Sequence, residues 1–235
     1  RPIYGDPVMT GELSPIDKAK FVAAKQAAGM VEDGMRVGLG TGSTAAWLVR
    51  CLGEMVNEEG LRFTAVPTST RTAELARELG IPVTSLDEAK WLDLTIDGAD
   101  EFDADLNLIK GGGGAMTREK IVAAVAKTFV CIVDDSKQVD LLGEFPLPVE
   151  VIPMARSYVA RELCKLDAEP VYRDGFVTDN GNQILDVHNL EITAAIALEE
   201  KINNLVGVVT NGLFAARPAD IVLMGTRDGV ETLTR

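Results

Sequence analysis

A glycine- and hydroxyl-rich segment has the composition of a phosphate-binding loop. Residues 38–44 read GLGTGST and stand between an apolar run and a helical pattern. Glycines let a backbone approach a ligand closely, and the free N–H groups at the start of a helix attract anions. The expected phosphate contacts are Thr41, Gly42, Ser43 and Thr44. A plain strand-to-helix turn is the alternative, but it does not require three glycines and three hydroxyls in seven residues.

A pair of aspartates follows a second apolar run. Residues 92–96 (LDLTI) predict a buried strand, and the next five residues are DGADE, with Asp97 and Asp100 three positions apart. Ligands of open α/β sheets bind beyond the carboxyl ends of the strands, so both carboxylates can face such a crevice. Carboxylates accept hydrogen bonds from sugar hydroxyls or transfer protons. Solvated turn acids are the alternative, and a metal site would lack a neighbouring His or Cys.

A run of four glycines forms the third segment. Residues 110–115 read KGGGGA and lead into TREK at 117–120, at the start of a predicted helix. Fixing four glycines in one conformation costs much chain entropy. The presence of such a run is best explained by backbone N–H groups that bind an anion or an oxyanion. The run is not a Walker loop, which requires GxxxxGK[ST]. Glu119 can project a carboxylate into the same crevice; an acid favoured by the helix dipole is the alternative.

A dinucleotide site is a further alternative for the first segment. Gly40, Gly42 and Ala45 fit the pattern G-x-G-x-x-G/A. That pattern needs an acidic residue at the end of the second strand to bind the ribose, and residues 66–70 (VPTST) contain none. Arg71 could in principle meet a 2′-phosphate. The hydroxyls of residues 68–72 fit polar loop contacts or helix capping instead.

The elements that must position these segments alternate between strand and helix. Apolar runs predict strands at residues 35–39, 63–66, 81–84, 92–96 and 129–133, and periodic patterns predict helices at 15–30, 45–57, 72–79 and 117–127. This alternation predicts an α/β fold with a Rossmann-like, mainly parallel sheet. The run at 220–224 (DIVLM) could rejoin that sheet.

The composition changes after the prolines at 146 and 148. We expect strands at residues 149–152, 170–172, 176–178, 184–187 and 207–210, with helices at 155–166 and 194–202. The chain is therefore divided into a Rossmann-like catalytic domain at 9–145 plus 219–235 and a smaller α+β domain at 146–218. Residues 1–8 (RPIYGDPV) precede Met9 and are expected to be a leftover of recombinant expression, with a trimmed native extension as the alternative.

The overall composition limits the function classes. The formal net charge is −13, which disfavours a general nucleic-acid binder because phosphate backbones reward clustered Lys and Arg. No apolar run approaches the length of a membrane span. Cys51, Cys131 and Cys164 form no CxxC pair and are expected to be buried, reduced thiols of a cytoplasmic protein. His188 is the single histidine and is interpreted as structural.

Several of these motifs, in this order, resemble ribose-5-phosphate isomerase, type A. The resemblance rests on residues 38–45 (GLGTGSTA), 96–101 (IDGADE), 110–120 (KGGGGAMTREK) and 135–139 (DSKQV), and it continues through 145–153, 177–181 and 207–214. It implies interconversion of D-ribose 5-phosphate and D-ribulose 5-phosphate in the non-oxidative pentose phosphate pathway, without a metal or an organic cofactor. It also implies a homodimer or tetramer, with the small domain assigned to oligomerisation and cleft closure.

The resemblance also implies the site residues. Glu119 matches the catalytic base, and the substrate-binding segments match Thr41–Thr44, Asp97, Gly98, Ala99, Asp100, Lys110, Gly111, Gly112, Gly113 and Lys137, with Lys20 near the phosphate. From the chemistry of a cis-enediolate mechanism, we assign ring opening to Asp97 and stabilisation of the oxyanion to Lys110 and the glycine amides. Gly114 departs from the Ala of many members. A sugar-phosphate sensor, an aminosugar-phosphate deaminase and a lactonase are the rival functions.

Overall fold

Residues 13–235 are described by a computed structural model of the chain. The helices are α1 (Pro15–Ala28), α2 (Ser43–Glu58), α3 (Thr70–Glu78), α4 (Leu86–Ala89), α5 (Met116–Val125), α6 (Arg156–Cys164) and α7 (Ala195–Asn203). The strands are β1 (Arg36–Leu39), β2 (Thr64–Pro67), β3 (Leu92–Asp97), β4 (Glu101–Phe102), β5 (Leu108–Ile109), β6 (Ala126–Asp134), β7 (Leu147–Val151), β8 (Glu169–Tyr172), β9 (Gln183–His188), β10 (Val208–Asn211), β11 (Leu213–Phe214), β12 (Ile221–Thr226) and β13 (Gly229–Thr234). The expectation for residues 1–8 lies outside the described residues.

The first of two units holds a six-stranded sheet. This unit comprises residues 13–98, 121–136 and 219–235, and the strand order is β13-β12-β6-β3-β1-β2. All neighbours pair in parallel except β12 and β13. Most side chains of the central strands β3 and β6 are buried, as in parallel sheets that are covered on both faces. The predicted Rossmann-like parallel sheet is confirmed, and residues 220–224 rejoin it within β12.

The second unit is built from antiparallel strands. It comprises residues 99–120 and 137–218, with one sheet in the order β10-β7-β9-β8 and another in the order β11-β5-β4. Its core contains apolar residues from β7, β9, α6 and α7, among them Val149, Val159, Leu163, Val187 and Ile202. The predicted α+β character of the second unit agrees with this arrangement.

The division of the chain differs from the predicted boundary at residue 145. Residues 99–120 and 137–145 pack with the second unit, whereas the sequence analysis placed them in the first domain. The reason is a long-range pairing: β5 pairs with β11 through Leu108–Phe214 and Ile109–Leu213. Strand β4 joins the other edge of β5, and residues 137–145 attach to β4 through the Phe102–Gln138 bridge and the bond from the Gly143 N–H to Glu101.

Three local elements differ from the sequence-based expectation. Residues 81–84 do not form a strand, because Pro82 has no N–H and only Val83 forms an isolated bridge with Ala65. Residues 176–178 are irregular, since the Thr178 hydroxyl accepts the N–H groups of Asn180 and Asn182 and closes a turn. Strand β13 was missed because its sequence, GVETLT, is polar and lies at an exposed sheet edge.

The cysteines agree only in part with the expectation of buried thiols. Among the described residues none of the three forms a disulfide bond; Cys131 is buried, Cys51 is half-buried and Cys164 is exposed. The expectation is therefore wrong for Cys164, which is the last residue of α6 and faces solvent. Within residues 13–235, no helix has the length and apolar character that a membrane crossing requires.

Candidate functional site

In the first unit, the loop at residues 40–44 leaves the carboxyl end of β1 beside that of β3. Leu39 of β1 pairs with Ile96 of β3, and the Gly40 N–H donates to the Ile96 carbonyl at 2.9 Å. From β1 the chain continues to β2 on one side of the sheet, whereas from β3 it continues towards β6 on the other side. The order of the strands therefore reverses between β1 and β3. This switch point is where open α/β sheets bind ligands.

The Asp97 carboxylate is fixed to this loop. Its Oδ1 accepts the N–H of Thr41 at 3.2 Å and that of Gly98 at 2.7 Å, and the residue is only 3% exposed. A Cβ on Gly40 would lie 2.1 Å from that oxygen and 2.7 Å from the Asp97 Cα. Asp97 approaches so closely that position 40 requires glycine. The glycine- and hydroxyl-rich loop and the Asp97 carboxylate thus lie together within the first unit.

Replacing Gly40 by alanine is expected to displace Asp97 and to destabilise the protein. The backbone atom at 2.7 Å cannot swing away as a flexible side chain could, so the free energy of unfolding should fall by about 2 kcal/mol. Thermal unfolding of Gly40→Ala checks this. Gly29→Ala is the matched control, because its φ is −65° and the nearest atom to its Cβ would be at 3.4 Å. An equal loss of stability in both variants would contradict the steric argument.

The start of α2 has the features of an anion-binding helix end. Gly42 is the N-cap with φ of 105°, it offers no side-chain cap, and the first turn contains no acidic residue. The first N–H groups of a helix lack partners within the helix and carry a positive dipole end. The Lys20 ammonium donates to the Ser43 hydroxyl at 3.1 Å. Lys20, which the resemblance implies to be near the phosphate, therefore lies at this loop.

A network of buried hydroxyls supports the loop from below. The Thr41 hydroxyl donates to Ser69 Oγ at 2.9 Å and lies 2.9 Å from Thr68 Oγ1. The Thr72 hydroxyl donates to the Gly40 carbonyl at 2.8 Å. Ser69 also caps α3 by accepting the Thr72 N–H. Both interpretations of these hydroxyls, loop contact and helix capping, therefore apply.

In the second unit, Lys110 and Glu119 form a buried ion pair. Lys110 Nζ lies 3.4 Å from Glu119 Oε1, and the two residues are 3% and 7% exposed. Lys110 directly follows β5, and its N–H donates to the Gly212 carbonyl at 2.9 Å. Glu119 lies in the first turn of α5. The structure thus joins a carboxylate that can move a proton to a cation that can neutralise developing negative charge.

The glycine loop at residues 111–114 is held partly by its own hydrogen bonds. The Gly112 N–H donates to Asp100 Oδ2 at 2.8 Å, and the Gly114 N–H donates to the Gly111 carbonyl at 2.9 Å. A Cβ on Gly112 would lie 2.7 Å from Asp100 Oδ1, so a side chain at this position would displace that carboxylate. Two of the amides predicted as oxyanion donors thus already have protein acceptors, which leaves Lys110 as the stronger candidate for that role.

Arg173 holds the same loop by its carbonyl groups, and sequence reasoning missed it. Its guanidinium donates to the carbonyls of Gly111 and Gly112, both at 3.2 Å. The same group pairs with Asp186 through two bonds of 2.6 and 2.9 Å. Such a bidentate pair orients the guanidinium firmly. Arg173 follows the strand predicted at residues 170–172 and is 61 positions from Gly112 in sequence, so no local signal indicated its role.

The remaining predicted residues are less tightly connected. Lys137 is half-buried at the end of a short 3₁₀ turn (Asp135–Lys137), and within residues 13–235 it has no hydrogen bond or ion pair with another predicted site residue. Gly98 and Ala99 are half-buried between Asp97 and Asp100. Over the described part of the chain, no group of three or more His, Cys, Asp or Glu residues could hold a metal ion.

Comparisons with known proteins identify the family. A model of "Ribose 5-phosphate isomerase A (phosphoriboisomerase A)" matches residues 64–229. The ribose-5-phosphate isomerase A of Ruegeria pomeroyi is 60% identical over 232 residues, covering 94% of this chain and 88% of its own length. The crystal structure of ribose 5-phosphate isomerase A from Neisseria gonorrhoeae has a TM-score of 0.90 at 44% identity, and the match covers 93% of this chain and 96% of that one. A D-ribose-5-phosphate isomerase in complex with phospho-erythronic acid has a TM-score of 0.92 at 43% identity, covering 94% and 100%. The chain belongs to the ribose 5-phosphate isomerase A family.

Proposed function

We propose that this protein interconverts D-ribose 5-phosphate and D-ribulose 5-phosphate. The observation that carries the proposal is the buried pair of Lys110 and Glu119, 3.4 Å apart, in a chain of this family. An aldose–ketose isomerisation moves one proton between neighbouring carbons, which requires a base and a stabilised oxyanion. The two side chains supply these groups without further cofactor chemistry. The complex of a family member with phospho-erythronic acid supports a phosphorylated sugar chain as the ligand.

The phosphate is assigned to the loop at residues 40–44. The uncapped N–H groups at the start of α2 and the hydroxyls of Ser43 and Thr44 suit a phosphate, and Lys20 adds a positive charge. The buried hydroxyls beneath Thr41 keep the loop in place before the ligand binds. A few local donors can thus bind an anion although the whole chain carries a net charge of −13. Binding at this end orients the reacting carbons.

Proton transfer is assigned to Glu119. With the sugar open, the C2 hydrogen leaves as a proton to the Glu119 carboxylate, and its electron pair forms the C1=C2 bond of a cis-enediolate with the charge on O1. The Lys110 ammonium stabilises that charge. Return of the proton from Glu119 to C1, with transfer of the hydroxyl proton from O2 to O1, gives the ketose. All atoms of the aldose are retained, and no oxidant or reductant is consumed.

Ring opening and hydroxyl binding are assigned to the two aspartates. Asp97 is our candidate for the acid–base step that opens the furanose ring, and its position is fixed by the N–H groups of Thr41 and Gly98. Asp100 is assigned to the binding of sugar hydroxyls, and its Oδ2 is held by a hydrogen bond from the Gly112 N–H. The backbone from Gly98 to Ala99 joins these carboxylates, and Lys137 is proposed as an additional cation for the phosphate.

The assembly and location are further parts of the proposal. By analogy with the family resemblance, we expect a homodimer, with a tetramer as the alternative, acting in the cytoplasm of its cell. Light scattering coupled to size-exclusion chromatography gives the oligomer mass directly. A mass equal to one 25.2-kDa chain at micromolar concentration would contradict the dimer.

A direct assay tests the function. Purified protein is incubated with ribose 5-phosphate, and ketose formation is followed by absorbance or by NMR. We expect conversion to ribulose 5-phosphate until equilibrium, with the same rate after treatment with EDTA, because no step assigned above uses a metal. A strong loss of rate that added divalent metal restores would contradict the metal-free mechanism. Absence of any ketose would contradict the proposed function itself.

A further inference from the structure

A second lysine, the half-buried Lys120, lies directly after Glu119 and has no place in the chemistry above. Its Nζ lies 2.9 Å from Glu199 Oε2 and donates to the Leu213 carbonyl at 2.5 Å. The same ammonium lies over the Phe214 ring, 4.7 Å from its centroid. Burial lowers the pKa of Lys120 below the usual lysine value, while the charge and hydrogen bond of Glu199 oppose that effect. All of these groups belong to the second unit.

Glu199 connects Lys120 to the segment that contains Phe214. This glutamate is only 5% exposed, and its Oε1 accepts the N–H groups of Ala215 and Ala216, both at 2.9 Å. Its other oxygen faces Lys120. Three donors offset part of the hydration that this carboxylate loses on burial. Glu199 therefore links the backbone of Ala215 and Ala216, directly after β11, to the Lys120 side chain.

Phe214 is shared by the two lysines. Its ring centroid is 5.6 Å from the Lys110 ammonium and 4.7 Å from that of Lys120. The ring is 1% exposed, and its strand, β11, pairs with β5, which ends immediately before Lys110. An ammonium is attracted to the face of an aromatic ring, and the attraction grows when water is excluded. A shift of this ring therefore changes the surroundings of Lys110.

We infer that Lys120 and Glu199 are positioning residues for the isomerisation, which set the Lys110–Glu119 pair through the Phe214 ring and the first turn of α5. This inference rests on the proposed function, since it concerns the rate of that reaction. The two residues do not touch the substrate or exchange protons with it. They hold the base through its neighbour in the chain, and they act on the oxyanion donor through the shared Phe214 ring. A small displacement of the reacting groups lowers the rate of the chemical step more than it weakens substrate binding.

The first experiment compares Lys120→Met and Glu199→Gln with the wild type, using ribose 5-phosphate as substrate. Methionine keeps the length of the apolar stem without the charge. Glutamine keeps an oxygen for the Ala215 and Ala216 N–H groups but loses the charge that faces Lys120. We expect kcat per folded molecule to fall at least tenfold in each variant, with KM within twofold of the wild type. Circular dichroism gives the folded fraction, and if Lys120→Met does not fold, Glu199→Gln decides.

Lys165→Met is the matched control. Lys165 and Glu162 also form a lysine–glutamate pair at 2.9 Å in the second unit, but the lysine side chain is 70% exposed. This variant should keep the wild-type kcat and KM. Wild-type and Lys165→Met activity test the proposed function independently of the inference. A kcat within threefold of the wild type in the folded Lys120 and Glu199 variants, or a KM change as large as the kcat change, would overturn the inference and leave the proposed function intact.

A double substitution tests the route through the ring. If Lys120 acts through Phe214, then Lys120→Met combined with Phe214→Leu should lower kcat to within twofold of the lower single variant. Contacting residues show such non-additivity, whereas independent sites multiply their effects on rate. A kcat equal to the product of the two separate losses would overturn transmission through Phe214.

Discussion

Glu119→Gln is expected to lower kcat for ribose 5-phosphate by about three orders of magnitude, with KM within about threefold of the wild type. Glutamine has nearly the same shape and can still accept a hydrogen bond from Lys110, but it cannot remove the C2 proton. Since the carboxylate is assigned to the transition state rather than to binding, kcat should carry the loss. Steady-state kinetics with ribose 5-phosphate at several concentrations measures both parameters.

Glu78→Gln is the matched control for this substitution, because Glu78 is an exposed acid in the last turn of α3. It should leave both parameters unchanged. Circular dichroism should show that Glu119→Gln remains folded at the assay temperature. A folded Glu119→Gln enzyme with kcat near the wild-type value would remove Glu119 from the role of base and would require another carboxylate.

Lys110→Met is expected to lower kcat by about two to three orders of magnitude. This estimate corresponds to the loss of one preorganised donor to an oxyanion, about 3–4 kcal/mol of transition-state stabilisation. The substitution also leaves the Glu119 carboxylate buried without the cation at 3.4 Å. The free energy of unfolding at neutral pH should therefore fall by about 3 kcal/mol. Kinetics at a temperature well below the unfolding midpoint separates the two effects.

Lys201→Met is the control for Lys110→Met, since Lys201 is exposed on α7 in the same unit. It should change neither the kcat nor the unfolding midpoint beyond a small surface effect. A Lys110→Met enzyme that is less stable but keeps its kcat when folded would show that the ammonium stabilises the fold and not the enediolate.

The first unit was largely predictable from the sequence. Glycines and hydroxyls between a strand and a helix indicated the loop at 40–44, and the general rule for strand ends placed Asp97 near it. The sequence did not show the bond from the Thr41 N–H to Asp97 or the contact of Lys20 with Ser43. These contacts depend on the pairing of β1 with β3 and on side-chain directions, which no local pattern encodes.

The second unit was harder to predict because its contacts join distant residues. Lys110 and Glu119 are nine positions apart and were identified from one motif, although their ion pair could not be read from the spacing. Other contacts join residues that are much farther apart, with 79 positions from Lys120 to Glu199 and 61 from Arg173 to the Gly112 carbonyl. A lone sequence offers no period or spacing that links such residues, and only the folded sheets bring them together.

The central claim, proton transfer through an enediolate with Glu119 as base, is tested most directly by isomerisation in D₂O. The conversion of ribose 5-phosphate is followed by NMR, and the hydrogen content at C1 of the ribulose 5-phosphate is measured. A carboxylic acid that holds the abstracted proton can exchange it with solvent, so wild-type product should contain deuterium at C1. Glu119→Gln should give neither product nor exchange on the same time scale. Wild-type enzyme that carries every C2 hydrogen to C1 and gains no deuterium even after many rounds of interconversion at equilibrium would contradict proton transfer through an exchangeable Glu119 carboxylic acid.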